Sequence, residues 1–362
     1  MQTDRKFDHY CGDEVYVKVN EMYEQNTELA EKRRHVLREI EKPNSEIAQF
    51  AKELTKHVLQ EQLKTCWRLK VRYDCLNFES QIIQSRLWGK VLDAMKQNGM
   101  VKIEDEPESK YLGCLVIKAG LEGEEKVLLR SDGTATYIAK DIPYAAWKIG
   151  LVEDPFSYYK YTTQFDNTTL LATELGSTGP NPGFHAADLA ITVIDTRQSR
   201  LQKIISKVLT MLGSQPGRYV HLSYEIVALS SDTARTLGMD IGEKQFAHMS
   251  GRKGVYVNAD NVLDALHKTA YEAAKLRNPS ADNTWLERTA ESIAIAAIRY
   301  SMIKQDLDKT ITFDIKEALN LEGDTGPYLQ YAHARACRIL EKSADPLMVI
   351  DSKLASMLNT EH

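Results

Sequence analysis

The chain has 362 residues, enough for two or three domains, and its 43% hydrophobic and 27% charged residues are typical of a globular protein. The 46 Lys and Arg residues against 51 Asp and Glu give a net charge of -5. This excludes a globally basic surface, so any contact with nucleic acid must come from local patches. The five cysteines form no CxxC pair, and neither a signal peptide nor a long apolar span is recognisable. We therefore expect a reduced, cytoplasmic protein without structural zinc and without membrane contact.

The first part of the chain is predicted to be helical. Residues 15–67 carry apolar side chains at helical spacing. Pro43 breaks this pattern, and Ser45 is expected to cap the helix that follows. Residues 69–74 then alternate like a strand, and residues 79–96 read as the next helix.

A turn at residues 131–133 is predicted to join a strand at 127–130 to a returning strand at 136–138, with a helix at about 140–148. Proline is tolerated in the first turn of a helix, so Pro143 places the helix start near Asp141. Asp141 could therefore be the N-cap of this helix or a functional carboxylate. Both interpretations stay open at this point.

A βα unit of a parallel sheet is predicted next. Residues 190–195 form a continuous β-branched run, and an amphipathic helix follows at 201–212. Ligands of open parallel sheets bind beyond the carboxyl ends of strands, which would place residues 195–198 at the edge of a crevice. These residues could equally be ordinary polar residues of a loop.

A glycine-containing loop at residues 248–254 follows the strand-like run 221–229 and holds two adjacent cations, Arg252 and Lys253. Glycines let a backbone approach a polyphosphate, and the cations would stabilise charge that develops on a phosphate. The alternative is a solvated surface turn. From residue 255 onward the pattern predicts helix upon helix, so an α/β part gives way to an all-α part.

Four segments of the chain together carry a resemblance to one family. They are RSDGTATYIAKD at residues 130–141, VIDTRQ at 193–198, HMSGRKG at 248–254 and GDTGPYLQY at 323–331. In this order they resemble the class I arginyl-tRNA synthetases, in their archaeal form. The sequence between the segments is similar to that family as well, so the resemblance covers nearly the whole chain.

The resemblance implies an α/β fold: a Rossmann-type class I synthetase core with a partial parallel sheet, a helical insertion and a C-terminal all-α part. Residues 1–125 would be a helical or αβ insertion that follows a missing first half of the core. Residues 126–245 would be the second half of the core. Residues 246–322 would hold the signature loop and a helical region that contacts the tRNA stem, and residues 323–362 would begin a truncated anticodon-binding domain.

The resemblance also implies an activity. Such a protein activates L-arginine with ATP, which Mg2+ accompanies, and transfers the arginine to tRNA(Arg). The loop at 248–254 corresponds to the class I signature Lys-Met-Ser-Lys-Ser, from which it departs because His248 and Gly251 stand at the two lysine positions. The implied ATP-binding residues are His248, Met249 and Gly251, and the implied catalytic residues are Ser250, Arg252 and Lys253. No metal ligand within the protein is expected.

The arginine pocket of the family corresponds to Tyr137, Asp141 and Gln198. Asp141 would face the substrate guanidinium, a planar fork suited to bidentate pairing with a carboxylate. Tyr137 and Gln198 would complete the hydrogen bonds. The resemblance thus offers a function for two sites that the residue pattern leaves open.

None of the nine histidines stands in the His-x-Gly-His motif that class I synthetases carry after their first strand. The chain is therefore expected to be an internal part of a synthetase, and a separate polypeptide could carry the missing half. One alternative is a non-catalytic tRNA-binding or regulatory remnant. Another is an unrelated nucleotidyl-transferring enzyme of the same superfamily, in which Tyr137, Asp141 and Gln198 would not converge.

Overall fold

The computed structural model describes residues 5–42, 44–85, 87–118, 125–176, 182–239, 246–247 and 256–342. They form a mixed α/β structure with parallel strands, as predicted. The chain divides into two compact units. The first contains Met1–Ala228, His248–Asn258 and Asp306–Ile311, and the second contains Leu229–Ala247, Ala259–Gln305 and Thr312–His362. The four-part division expected from the sequence stays a prediction.

The first unit begins with the predicted helical layer. Its helices are α1 (Phe7–His9), which continues through a π-helical stretch (Tyr10–Tyr16) into α2 (Val17–Gln25), then α3 (Thr27–Ile40) and α4 (Glu46–Arg68). Asn26 caps α3 by accepting a hydrogen bond from the amide of Glu28 at 2.9 Å. Ser45 caps α4, as predicted, because its Oγ accepts from the amide of Ala48 at 3.0 Å.

The predicted strand at 69–74 is wrong. Lys70 has a φ of +59°, and its amide donates to the carbonyl of Trp67 at 3.0 Å, so this stretch turns the chain at the end of α4. Among the described residues between α4 and α5, the one strand is β1 (Cys75–Leu76). The helix predicted at 79–96 is divided into α5 (Glu79–Gln84) and α6 (Leu87–Gln97).

In the described residues of the first unit, the strands form three small sheets. The strands are β2 (Val101–Ile103), β3 (Leu115–Ile117), β4 (Lys126–Leu129), β5 (Phe156–Thr163), β6 (Thr169–Leu175), β7 (Ala190–Asp195) and β8 (Tyr219–Tyr224). Strands β2, β3 and β4 pair antiparallel in that order. Strand β6 pairs parallel with β1 and antiparallel with β5. Strands β7 and β8 pair in parallel, with α8 (Ser199–Met211) between them in the chain, so the predicted βα unit is confirmed.

The main core of the first unit lies between α6, α8 and α7 (Tyr137–Lys148) and the neighbouring strands. Its members are buried apolar side chains from each of these elements. Among them are Val91, Met95, Ile117, Leu128, Ile138, Ile142, Ala146, Ile204, Ile205 and Val208. Helices α7 and α8, which carry candidate site residues at their starts, are thus packed into one core.

The second unit is mainly helical, as the pattern after residue 255 predicts. Its regular elements are α9 (Ser231–Thr236), β10 (Phe246–Ala247), α10 (Ala259–Arg277), α11 (Asn283–Ile303), α12 (Ile315–Ala318) and α13 (Gly326–Lys342), while β9 (Val227–Ser230) and β11 (Ile311–Phe313) lie at its boundary. The run predicted as one strand at 221–229 is divided between β8 and β9. Among the helices of the described residues, none is long and apolar enough to span a membrane.

Gly326 is the point where α13 meets α11. A Cβ built on Gly326 would lie 2.3 Å from the carbonyl oxygen of Ala296 and 3.0 Å from the amide nitrogen of Ala297. Backbone atoms of a packed helix cannot give way as a side-chain tip can. We expect Gly326→Ala to lower the free energy of unfolding by roughly 1–3 kcal/mol, measured by urea titration.

The matched control is Gly89→Ala in the first turn of α6, where a Cβ would meet nothing within 4 Å. This change should be neutral or stabilise by up to about 1 kcal/mol, because alanine is the better helix former. Equal unfolding curves for the two variants would contradict the close packing of α13 on α11.

Candidate functional site

Helix α7 carries two of the three residues expected to bind arginine. Tyr137 and Asp141 are one helical turn apart and share a face of the helix. Tyr137 is 73% exposed, whereas Asp141 is half-buried. Buried Ile138 and Ile142 hold the opposite side of α7 in the core. The two polar side chains therefore lie on a helix whose position the core determines.

The start of α7 differs from the expectation based on Pro143. The helix begins at Tyr137, with Thr136 in the N-cap position, so Asp141 is not an N-cap and residues 136–138 are not a strand. Thr136 Oγ1 donates to the carbonyl of Val127 at 2.7 Å and ties the start of α7 to β4. Burial of Ile138 and Ile142, at about 1.5–3 kcal/mol per side chain, offsets the roughly 3 kcal/mol that an interior proline costs.

The carboxyl of Asp141 lies in an electrostatically mixed environment. Its pKa is raised, first by burial and then by the carboxylate of Glu79, while Lys148 and Lys140 act in the opposite direction. Lys140 is itself paired with Glu79 at 2.6 Å. Among the described residues, none donates a hydrogen bond to the Asp141 side chain. Burial removes water that would stabilise the charged carboxylate. A bound cation would stabilise that charged form instead.

Lys148 and Tyr144 continue the same face of α7 beyond Asp141. Lys148 Nζ lies 4.3 Å from the centre of the Tyr144 ring, and burial lowers the pKa of Lys148. Tyr144 Oη donates to Asn77 Oδ1 at 3.0 Å, and burial raises the pKa of Tyr144 to about 12. This part of the face is filled by its own contacts, so the open part is the end that holds Tyr137 and Asp141.

Gln198 lies at the carboxyl end of β7, as predicted, in a 3-10 turn (Thr196–Gln198) just before α8. The carboxylate of Asp195 accepts two hydrogen bonds from the Arg197 guanidinium, each at 3.0 Å, which lower the pKa of Asp195. Thr196 Oγ1 donates to Glu225 Oε1 at 2.9 Å. The side chain of Gln198 is exposed.

The three residues predicted to bind arginine lie on α7 and at the start of α8. Tyr137 and Asp141 share one helix face, and Gln198 directly precedes α8, which packs against α7 through Ile204 and Ile205. Hydrogen bonds that join Gln198 to either residue are not found in the described part of the chain. The convergence of all three on one ligand therefore stays a prediction.

The predicted phosphate-binding loop lies outside the described residues. This concerns His248, Met249, Ser250, Gly251, Arg252 and Lys253. In the described residues, no group of three or more His, Cys, Asp and Glu side chains is arranged to hold a metal ion. The Mg2+ expected with ATP therefore remains part of a proposal.

One network at the end of α7 was not predicted from the sequence. Asp154 accepts hydrogen bonds from Trp147 Nε1 at 2.8 Å, from Tyr158 Oη at 2.9 Å and from the amide of Phe156 at 3.1 Å. It joins the end of α7 to β5. The sequence signal is weak, because an Asp-Pro pair such as Asp154 and Pro155 marks only a turn. The β5–β6 hairpin was missed as well, although its aromatic and β-branched residues are a strand signal.

Comparisons with known proteins find similar sequences over nearly the whole chain. Residues 6–164 match the family model described as tRNA synthetases class I (R), catalytic domain. The chain is 33% identical over 353 residues to the arginine–tRNA ligase of Thermococcus sibiricus, covering 95% of this chain and 52% of that protein. It is 36% identical over 350 residues to the arginine–tRNA ligase of Thermus thermophilus, covering 94% and 53%.

The chain is homologous to the class I arginyl-tRNA synthetases. The solved arginyl-tRNA synthetase of Thermus thermophilus matches with a TM-score of 0.73 at 34% identity, over 94% of this chain and 54% of that one. The arginyl-tRNA synthetase of Plasmodium falciparum, at 15% identity and a TM-score of 0.60, has a similar fold. The predicted class I synthetase fold is thus confirmed, and this chain spans about half the length of the synthetases it matches.

Proposed function

We propose that this chain is the arginine-recognising part of a cytoplasmic arginine–tRNA ligase. In the first step the carboxylate of L-arginine attacks the α-phosphorus of ATP, which Mg2+ accompanies, and pyrophosphate leaves. In the second step a ribose hydroxyl of the terminal adenosine of tRNA(Arg) attacks the arginyl carbonyl, and AMP leaves. The observation that carries the proposal is the half-buried carboxylate of Asp141 beside the exposed Tyr137 on α7.

The chemistry of this carboxylate suits a guanidinium ligand. Asp141 is partly removed from water, and no described donor satisfies its oxygens. A guanidinium presents two parallel N–H groups to a carboxylate and keeps its charge at every physiological pH. In this proposal Asp141 binds the guanidinium, and Tyr137 and Gln198 add hydrogen bonds that fix its orientation.

The loop at residues 248–254 would serve the nucleotide. His248, Met249 and Gly251 would contact ATP, while Arg252 and Lys253, with Ser250, would stabilise charge on the phosphates as pyrophosphate leaves. The imidazoles of a His-x-Gly-His motif would come from outside these 362 residues, because none of the nine histidines has that spacing. The tRNA completes the set of proposed interactions.

Lys253→Ala tests whether the loop at residues 248–254 acts in catalysis or is a solvated surface turn. The test uses an enzyme reassembled from this chain and the Thermus thermophilus synthetase segment that precedes its match. If Lys253 acts on developing phosphate charge, kcat for adenylate formation should fall by about 100-fold or more, with little change in arginine affinity. The measurement is rapid-quench adenylate formation.

Arg252→Ala is compared with Lys253→Ala, because either cation could reach the phosphates. Lys207→Ala on α8, an exposed cation outside the loop, is the control and should change neither quantity. Unchanged rates of adenylate formation in both loop variants would contradict the catalytic role and favour a solvated surface turn.

A further inference from the structure

A carboxylate of the N-terminal helical layer binds two side chains that follow the loop at residues 248–254. Asp13 lies in the π-helical stretch that joins α1 to α2. One of its carboxylate oxygens accepts a hydrogen bond from Tyr256 Oη, and the other accepts from Asn258 Nδ2 at 3.3 Å. Tyr256 Oη also lies close to Gly12, where a built Cβ would be 3.4 Å away. One carboxylate thus holds two residues directly after the loop.

Asp13, Tyr256 and Asn258 all belong to the first compact unit, which also contains Asp141, whereas α10 belongs to the second. Asn258 directly precedes α10 in the chain. Tyr256 is 243 residues from Asp13 in sequence, so no local pattern creates their contact. Burial and Asp13 raise the pKa of Tyr256 to about 12, so its hydroxyl remains a donor at neutral pH. The carboxylate therefore ties the chain to the first unit just before α10 begins.

The helices around Asp13 give its carboxylate a defined position. Phe7 on α1 packs edge-on against His57 of α4, with the ring centres 6.0 Å apart. The neighbouring Glu14 pairs with Arg5 at 3.0 Å. π-Helical turns are rare, and many of them occur at functional sites. Hydrogen bonds to a charged acceptor are roughly twice as strong as neutral ones, so both donors are held firmly to this turn.

We propose that Asp13 is a positioning residue for the loop at residues 248–254. Its carboxylate fixes Tyr256 and Asn258 relative to the unit that contains Asp141. Lys253 is three residues before Tyr256, and three residues of extended chain span at most about 11 Å. An anchored Tyr256 therefore limits where Lys253 can lie. The anchor is argued from these contacts, and only the action of the loop cations on phosphates rests on the proposed function.

Three variants and one control test the anchor. Asp13→Ala removes both acceptors. Asn258→Asp places a second carboxylate against the first, and because Asp and Asn are equally good helix caps, the start of α10 is not impaired. The exchange variant, Asp13→Asn/Asn258→Asp, restores one donor and one acceptor in reversed order. The control is Glu24→Ala, which changes an exposed acidic residue on α2.

Limited trypsin digestion of the whole chain gives the first readout. Trypsin cleaves after Arg252 and Lys253, and mass spectrometry quantifies the products. Cleavage there should be at least about 10-fold faster in Asp13→Ala and in Asn258→Asp, because lost hydrogen bonds to a charged group favour local opening. The exchange variant and the control should match the wild type. Cleavage after Lys268 on α10 reports unfolding elsewhere and should keep its rate.

The complex with the Thermus thermophilus synthetase segment that precedes the match gives the second readout. Asp13→Ala and Asn258→Asp should form adenylate about 10- to 100-fold more slowly at an unchanged arginine affinity. A misplaced loop would affect the reacting phosphates and not the arginine pocket. The exchange variant should recover the rate. A merely structural contact would instead lower the free energy of unfolding and leave kcat unchanged.

Equal trypsin cleavage of the wild type and Asp13→Ala would overturn the proposal. An exchange variant as impaired as Asn258→Asp would do the same, and so would faster cleavage with an unchanged rate of adenylate formation. If the wild-type complex forms no adenylate, that result counts against the proposed function. The trypsin comparison then decides by itself whether Asp13 anchors the loop.

Discussion

A polypeptide of these 362 residues alone is expected to catalyse no arginine-dependent exchange of pyrophosphate into ATP above background. None of its nine histidines has the His-x-Gly-His spacing, so the imidazoles that would stabilise the transition-state phosphate are absent from this sequence. Each missing donor in such a preorganised site lowers the rate by about 100- to 1,000-fold. The assay follows radioactive pyrophosphate into ATP, with and without tRNA(Arg).

The positive control adds the Thermus thermophilus synthetase segment that precedes the match with this chain. It should raise the exchange rate, because the two polypeptides together would hold the imidazoles, the loop cations and Asp141. The segment alone, and the segment with the Asp141→Asn chain, are the controls. Robust turnover by the 362-residue polypeptide without the segment would refute the prediction.

Asp141→Asn should weaken arginine binding by about 30-fold to several thousandfold in the reassembled enzyme. The change removes one partner of a charge pair that is partly shielded from water, a loss of roughly 2–5 kcal/mol. The side chain keeps its shape, so the effect reports on charge. Isothermal titration of arginine into both proteins gives the comparison.

Asp93→Asn on α6, an exposed aspartate, is the matched control and should leave arginine affinity unchanged. Citrulline should bind poorly to the wild type, because it cannot offer a charged fork to Asp141. The difference between arginine and citrulline should nearly vanish in Asp141→Asn. Equal arginine affinities in the two proteins would exclude Asp141 as the arginine anchor.

The pH dependence of the same variant adds an independent check. Burial and Glu79 raise the pKa of Asp141, so the protonated form is favoured in the folded state. The resulting stability is fully present below the unfolded pKa and is lost as pH rises through the raised folded pKa. In urea titrations Asp141→Asn should therefore be the more stable protein at neutral pH, and the gain should shrink on acidification. Arginine affinity of the wild type should fall over the same acidic range.

Local patterns in the sequence predicted much of the fold. The cap of α4 by Ser45, the βα unit of β7 and α8, and the long helices α10 and α11 were all predicted in this way. Capping and apolar periodicity act over a few residues, so one segment contains the whole signal. The start of α7 was misjudged because a local rule about Pro143 competed with distant contacts, and the buried face of α7 against α6, α8 and β4 prevailed.

The sequence by itself determined the order of the four motifs, the cations of the glycine loop and the lack of a His-x-Gly-His spacing. These are properties of the covalent chain and do not depend on folding. Only the tertiary structure decided that Asp141 is no helix cap, and that burial and Glu79 together raise its pKa. It also decided which face of β7 and β8 is covered by α8 and which is open. Burial and the electrostatic field at a group depend on residues far away in sequence, whose positions no local pattern specifies.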